Sequence, residues 1–469
     1  MTTTADSELD KHGPSDLKRS ITGRLLFFYV LGDVLGSGIY VLIGLVAGAV
    51  GGAFWLAFAV GVTVATITGL AYAELVTKYP RAAGAALYVN KAFGNRALTF
   101  LMAVCMLSAC FAAAGSLATG FAAYFEEIWA LPPALLVSLA FVLGLSIINY
   151  VGITESAVAN MLMTFVEVAG LLIIMVIGVV YVAQGKADFG TLGRFQTDDN
   201  PVIAVVAGVA LAFFAMTGFE NAANVAEETV DPRRTFPRAL VGGMVTAGIV
   251  YVLVAITAAL VVPINTLANS DAALLEVVKA DVLGFPVGLM TTLFAAIAMV
   301  AIANTTLVSV VTQSRILYGM AREDVVPGAF AKVHSGRRSP WVALCFAGLV
   351  VCSLLVVGAL LNEAGIGLDV VARLATVTVV FTLFIYALVI VSCLKLRGSD
   401  DGDSYRAPTG LLVAGFVGNL LLLAYVVYDD PHSLIWCAAL LGVGLVLFVA
   451  EKLFGTRDRS VEQVPHVGG

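Results

Sequence analysis

Apolar stretches recur along nearly the whole chain, near residues 25–50, 53–77, 97–125, 133–150, 156–183, 201–230, 238–262, 284–318, 341–361, 368–395, 409–428 and 432–453. Most exceed the ~20 residues that a helix needs to cross a ~30 Å hydrocarbon core. Hydrocarbon offers no partner to backbone N–H and C=O groups, so a run of such stretches predicts helices that bond within themselves. The pattern therefore predicts an all-α polytopic membrane protein of about twelve transmembrane helices. Polar tails are expected at 1–23 and 454–469, and no linker between them is long enough to set off a soluble domain.

Two of the stretches are interrupted, and they lie five spans apart. The first contains GDVLGSGIYVLIG, broken at its midpoint by Gly36, Ser37 and Gly38; the sixth contains FFAMTGFENAANVAEE, broken around Thr217 and Gly218. A break inside a bilayer persists where the freed backbone groups line a cavity. Matching breaks in corresponding spans predict a five-plus-five inverted repeat with a substrate site at mid-depth, covering 24–200 and 201–397, with 398–453 adding the last two spans. The simpler alternative is that these glycines serve close helix packing.

Composition agrees with this picture: 60% of residues are hydrophobic, 12% are charged, and the mean hydropathy is +0.97, which excludes an ordinary soluble domain. The distribution of charge says more than the net −6. With a cytoplasmic N-terminus and alternating spans, every Lys and Arg falls inside except Lys186, Arg194, Lys279 and Arg373. That bias predicts a multi-pass protein of the cytoplasmic membrane with both termini in the cytoplasm. The first two dozen residues lack the apolar core of a cleavable signal. The six cysteines show no metal-ligand spacing and read as ordinary membrane-helix residues.

Four segments in order, the first-span motif, LAYAELVTKYPRAAGAALYVNKAFGN, AEETVDPRRTFPRAL and SRILYGMAREDVVPGAFAKVH, resemble the amino acid-polyamine-organocation superfamily. Within it, they are most similar to bacterial permeases of the cationic amino acid transporter group. The resemblance implies a LeuT-type fold, no cofactor, and secondary active transport by alternating access. Relatives handle amino acids, amines and polyamines, so an amino acid permease is expected first, with an amine or polyamine carrier or an amino acid exchanger as alternatives.

An amino-acid zwitterion needs two opposite partial charges at one depth, and broken helices supply both. The half-helix that starts after the first break presents free N–H groups and a positive dipole end, so Ser37, Gly38 and Ile39 are assigned to the substrate carboxylate. Val34, Leu35, Phe214 and Met216 match the family positions whose carbonyls take the ammonium group. Phe219 resembles the aromatic gate that closes over the substrate from outside, and Ala215, Met216 and Gly218 would complete the pocket; the selectivity residues of the third span are not legible. A packing or lipid-facing role is the alternative for Phe219.

Ionisable residues inside a membrane are costly and default to function. Asp33, Glu167 and Glu220 are the candidates for ion coupling. Glu74, Glu155, Glu227 and Glu228 lie near cytoplasmic ends, where Arg81, Arg233, Arg234 and Arg322 are available partners. Counting from the family-like ESAVAN segment, Glu167 falls where many proton-dependent relatives carry a lysine, and a carboxylate cannot mimic that cation. It is either a proton carrier, since desolvation disfavours a carboxyl's charged form, or a ligand for Na⁺ together with Asn304, Thr305 or Ser309. Asp33 either joins that cluster or favours a cationic amine. His12, His334 and His466 lie outside the spans and His432 stands at the first residue of the last, which leaves proton transfer to carboxylates. The expected partners are a small amine-bearing solute, H⁺ or Na⁺, and the bilayer, with no nucleic acid. A channel filter and an enzyme's nucleophile and base are both missing from the sequence, so the chain is not expected to be an enzyme.

Overall fold

The computed structural model describes residues 21–80, 84–130, 132–151, 156–195, 200–322, 326–334, 339–366, 369–399 and 404–454. Arg81, Glu155, His12, His466 and almost all of both tails lie outside that set, as do the side chains of Glu227, Glu228 and Arg322.

Helices account for almost everything described, and no β-strand occurs among the described residues. Ten of them are long and apolar enough to cross a bilayer. The pair Gly23–Leu35 and Gly38–Val50, bent by 41°, makes an eleventh as one broken span, and the helix Ala134–Tyr150, apolar but shorter, occupies the place of the expected fourth span. The remaining spans are Trp55–Lys78, Arg96–Glu126, Ser156–Ala183, the sixth span described below, Pro232–Val261, Val287–Arg322, Trp341–Leu361, Val370–Lys395, Thr409–Asp429 and Ser433–Phe454.

Polar residues at the ends of the apolar runs start several of these helices. Asn95 Oδ1 accepts from the N–H groups of Ala97 and Leu98, Asn200 Oδ1 from Val202, and Asp369 Oδ1 from Ala372, each satisfying donors that a helix start leaves open. The seventh helix starts at Pro232 rather than near 238. Its first turn is polar, through Arg233 and Arg234, so the apolar pattern conceals it. Pro232 lies where a missing N–H costs nothing.

The tenth span is the most enclosed, and the eleventh and twelfth are the least, so those two flank the bundle. The seventh span packs on the second and on the first half of the first span, while the second half of the first span packs on the start of the sixth. Short helices Ile264–Ala268 and Ala273–Lys279 lie against that second half.

At the end of the bundle that carries Lys78, Glu74 takes a partner the sequence does not point to. Arg397 Nε and Nη2 grip its two carboxylate oxygens at 2.8 and 2.6 Å. The Ala407 N–H donates to Glu74 Oε2 at 2.8 Å, Arg397 also bonds the Ala407 carbonyl, and both charged side chains are under 10% exposed. Removing one member of a buried pair strands the other's charge, at about 3–5 kcal/mol. Arg397→Ala is therefore expected to lower the thermal unfolding midpoint of the purified protein markedly, with Arg397→Lys intermediate. An unchanged midpoint would show that the pair contributes nothing.

Candidate functional site

The first span consists of two 13-residue helices with the break between them at half height. Gly36 leaves helical geometry at φ −43°, ψ −160°, and the Ser37 N–H, freed by the break, donates to Thr305 Oγ1 of the eighth span at 3.2 Å. The sixth span runs as α-helix over Pro201–Ala212, tightens to a 3₁₀ turn over Phe213–Met216, and resumes as a 3₁₀ helix over Phe219–Glu228. Between them Thr217 is extended and Gly218 has φ +115°, a conformation open to glycine and strained for other residues. Thr217 Oγ1 donates to the Phe214 carbonyl at 2.8 Å, which satisfies one acceptor the break exposes.

The two breaks touch. A Cβ on Gly38 would stand 2.4 Å from Ala215 Cα, and one on Gly218 would stand 2.7 Å from the Asp33 carbonyl oxygen. Tyr251 of the seventh span ties them together, since its buried hydroxyl donates to the Val34 carbonyl and lies 3.0 Å from the Ala215 carbonyl oxygen.

Beside this junction lies a cavity of about 80 Å³, part of its surround open to solvent. Of the residues expected at the site, Asp33, Val34, Ser37, Gly38, Phe214, Ala215, Gly218 and Glu220 line it, as do Thr305 and Ser309. Leu35, Ile39 and Met216 are buried in the packing around the breaks and are not among the lining residues. The third span lines the cavity with Ala109, Cys110, Ala113 and Leu117, and the tenth span with Thr378 and Thr382. Ala109, Ala113 and Leu117 recur at helical spacing, but so do many apolar residues of this span, and nothing in the sequence marks their face as the one at the cavity.

Phe219 departs from its expected place. It is fully buried, off the cavity lining, edge-on to Tyr72 at 5.6 Å and 5.1 Å from Tyr386 between ring centroids. Tyr88 extends the cluster through Tyr72. The glycine turn at 218 directs the ring into this packing, toward the half of the second span that ends at Lys78, while Phe214 on the other side of the break is the aromatic at the cavity.

The three candidate carboxylates occupy different settings. Glu220 Oε2 accepts from the Gly218 N–H at 2.9 Å and the Tyr386 hydroxyl at 2.7 Å. Asp33 Oδ2 accepts from Asn221 Nδ2 at 3.1 Å. Glu167 is fully buried and is not among the lining residues. Its Oε1 accepts from Asn304 Nδ2 at 3.0 Å and its Oε2 has no hydrogen-bond partner among the described residues. The Tyr40 hydroxyl donates to the Glu167 carbonyl at 2.8 Å, fixing the fifth span against the second half of the first.

No group of three or more His, Cys, Asp or Glu side chains that could hold a metal occurs among the described residues.

The sequence profile of the family described as amino acid permease matches residues 23–450. The branched-chain amino acid permease BcaP of Bacillus subtilis is 24% identical over 465 residues, 93% of each chain. The chloroplastic cationic amino acid transporter 9 of Arabidopsis thaliana is 26% identical over 326 residues, 65% of this chain and 55% of that one. Among solved structures, a manganese transporter from Eremococcus coleocola superimposes with a TM-score of 0.64 at 13% identity, covering 94% of this chain and 98% of its own. That likeness concerns the fold, the LeuT-type arrangement of a polytopic all-helical transporter.

Proposed function

The chain belongs to the amino acid permease family and spans the membrane many times, and from that premise we propose that it imports an amino acid through the cytoplasmic membrane by alternating access, driven by protons. The observation that carries the reading is the cavity at the two breaks, which brings a helix N-terminus, a buried serine hydroxyl and two carboxylates to one place half-way through the bundle. A zwitterion needs opposite charges held at one depth, and this site offers them. Residues 24–200 and 201–397 would be the two inverted repeats. The Lys and Arg bias puts both termini and the Glu74–Arg397 pair on the cytoplasmic side.

Glu167 is the proposed proton carrier, and its connection to the cavity is short. Asn304, which holds the carboxyl, is followed in the eighth span by Thr305, whose hydroxyl accepts the Ser37 N–H at the first break. A change of protonation at Glu167 alters what Asn304 can donate to, and a shift of the eighth span there is felt at Ser37. Sodium coupling is the weaker reading. Thr305 Oγ1, one of the oxygens it could draw on, already accepts from Ser37 and donates to the Ala301 carbonyl at 3.4 Å.

Uptake into proteoliposomes tests the proposal. Labelled leucine, lysine and alanine are offered under an acid-outside pH gradient, a sodium gradient, or neither, with putrescine as competitor. At least one amino acid is expected to accumulate several-fold under the pH gradient alone, without competition from putrescine. Accumulation of none, or accumulation only with sodium, defeats it.

A further inference from the structure

Of the four residues whose main-chain carbonyls are expected to take the substrate's ammonium group, two have those carbonyls already bonded and two lie off the cavity lining. That of Val34 receives the Tyr251 hydroxyl, which also lies 3.0 Å from the neighbouring Ala215 carbonyl oxygen, and that of Phe214 receives the Thr217 hydroxyl at 2.8 Å and the Thr217 N–H at 3.3 Å. Leu35 and Met216 are not among the cavity's lining residues. The lining nevertheless contains two acidic side chains, Asp33 and Glu220, and no Lys, Arg or His among the described residues. A buried carboxylate needs an opposite charge or several donors. Glu220 has two donors on one oxygen, one from main chain and one from Tyr386. Asp33 has only Asn221, on Oδ2, and no described residue donates to its Oδ1.

Four residues further along the same span, Ser37 Oγ is fully buried, lines the same cavity and has no hydrogen-bond partner among the described residues. A hydroxyl is one donor and two acceptors, and this one stands at the start of a 13-residue helix whose positive end favours an anion. One acceptor short of donors and one hydroxyl short of a partner thus bracket the first break.

We propose that Asp33 is the group that holds the substrate's ammonium, in place of the main-chain carbonyls, with Asn221 fixing the orientation of its carboxylate and Ser37 receiving the opposite, carboxylate end. The assignment rests on the reading of the protein as a carrier of amine-bearing solutes, and it makes Asp33 a specificity determinant rather than a member of the proton site at Glu167. The sequence marks Asp33 as an intramembrane charge, but not the occupied carbonyls that give it this task.

The test compares ligand-induced thermal stabilisation of the full-length purified protein, wild type, Asp33→Asn and Asp33→Glu, over concentration series of the twenty L-amino acids, L-lactate as the amine-free counterpart of alanine, L-2-hydroxyisocaproate as that of leucine, and putrescine. Every amino acid that stabilises the wild type is expected to lose at least about thirty-fold in affinity in Asp33→Asn, as for a truncated buried charge pair, with partial recovery in Asp33→Glu. The preference for an amino acid over its hydroxy acid should collapse in the same variant, a change that general destabilisation would not produce. Should Asp33→Asn fail to fold, Asn221→Ala must show the same collapse in weaker form. Retained affinity, or an equal loss for amino and hydroxy acids, overturns the assignment. Asp33-dependent binding of putrescine with no amino acid bound leaves the assignment standing and ends the amino acid reading; binding of no ligand at all by wild type ends both.

Discussion

Gly38→Leu is expected to reduce amino acid uptake more than a hundred-fold while the protein still inserts and accumulates in the membrane. The reason is steric and local. A Cβ at this position would lie 2.4 Å from Ala215 Cα and 2.7 Å from Ala215 Cβ, distances at which backbone, not a flexible side-chain tip, must move. The two breaks would be driven apart, and the Tyr251 hydroxyl could no longer reach both the Val34 and the Ala215 carbonyls. Interiors packed to crystal density have little room to absorb such a shift, and overpacking costs about 1–3 kcal/mol even where it is tolerated. Gly144 provides the control, since a Cβ there meets nothing within 4 Å, and Gly144→Ala should transport normally. Uptake of labelled substrate per unit of membrane-inserted protein reads both variants. Normal uptake by a well-inserted Gly38→Leu protein would mean that the junction is not the site.

Glu167→Gln should abolish the response of uptake to an imposed pH gradient and leave facilitated exchange of substrate across the membrane. The amide keeps the size of the carboxyl and an oxygen for Asn304 to bond, but it cannot take up and release a proton. With protons as the driving ion, wild-type accumulation increases as the outside is made more acidic, and the variant should give a flat profile across the same range. Counterflow, which needs only binding and alternation, separates loss of coupling from loss of transport. A pH profile identical to wild type would remove Glu167 from the coupling role.

How much of this is legible in the sequence follows from which physical signals are long-range in the chain. Apolar runs set by bilayer thickness locate the spans to within a few residues, as at Trp341–Leu361 and Thr409–Asp429. The breaks are legible because Gly36–Gly38 and Thr217–Gly218 interrupt runs that are otherwise apolar. Partnership is not legible in the same way. Arg397 meets Glu74 across 323 positions, and no local pattern distinguishes it from nearer arginines. Phe219 illustrates a finer limit: one residue of positive φ beside it decides which way its ring faces, and spacing alone does not record that turn. Tyr251 and Asn221, which bond to groups at the two breaks, look in the sequence like an ordinary span tyrosine and an ordinary polar residue near a span end.

The grip on Glu74 reaches further than its own stability. Lys78 bonds the Leu396 carbonyl and the Tyr405 N–H donates to Thr77 Oγ1 at 3.1 Å, so bonds on either side of Arg397 and Ala407 stitch the stretch between the tenth and eleventh spans to the last turn of the second. A carrier that swings its second span during the cycle must therefore either drag the foot of the eleventh along or unfasten this clasp on every turnover, and the rate of opening on that face would then be set by a guanidinium letting go of a carboxylate.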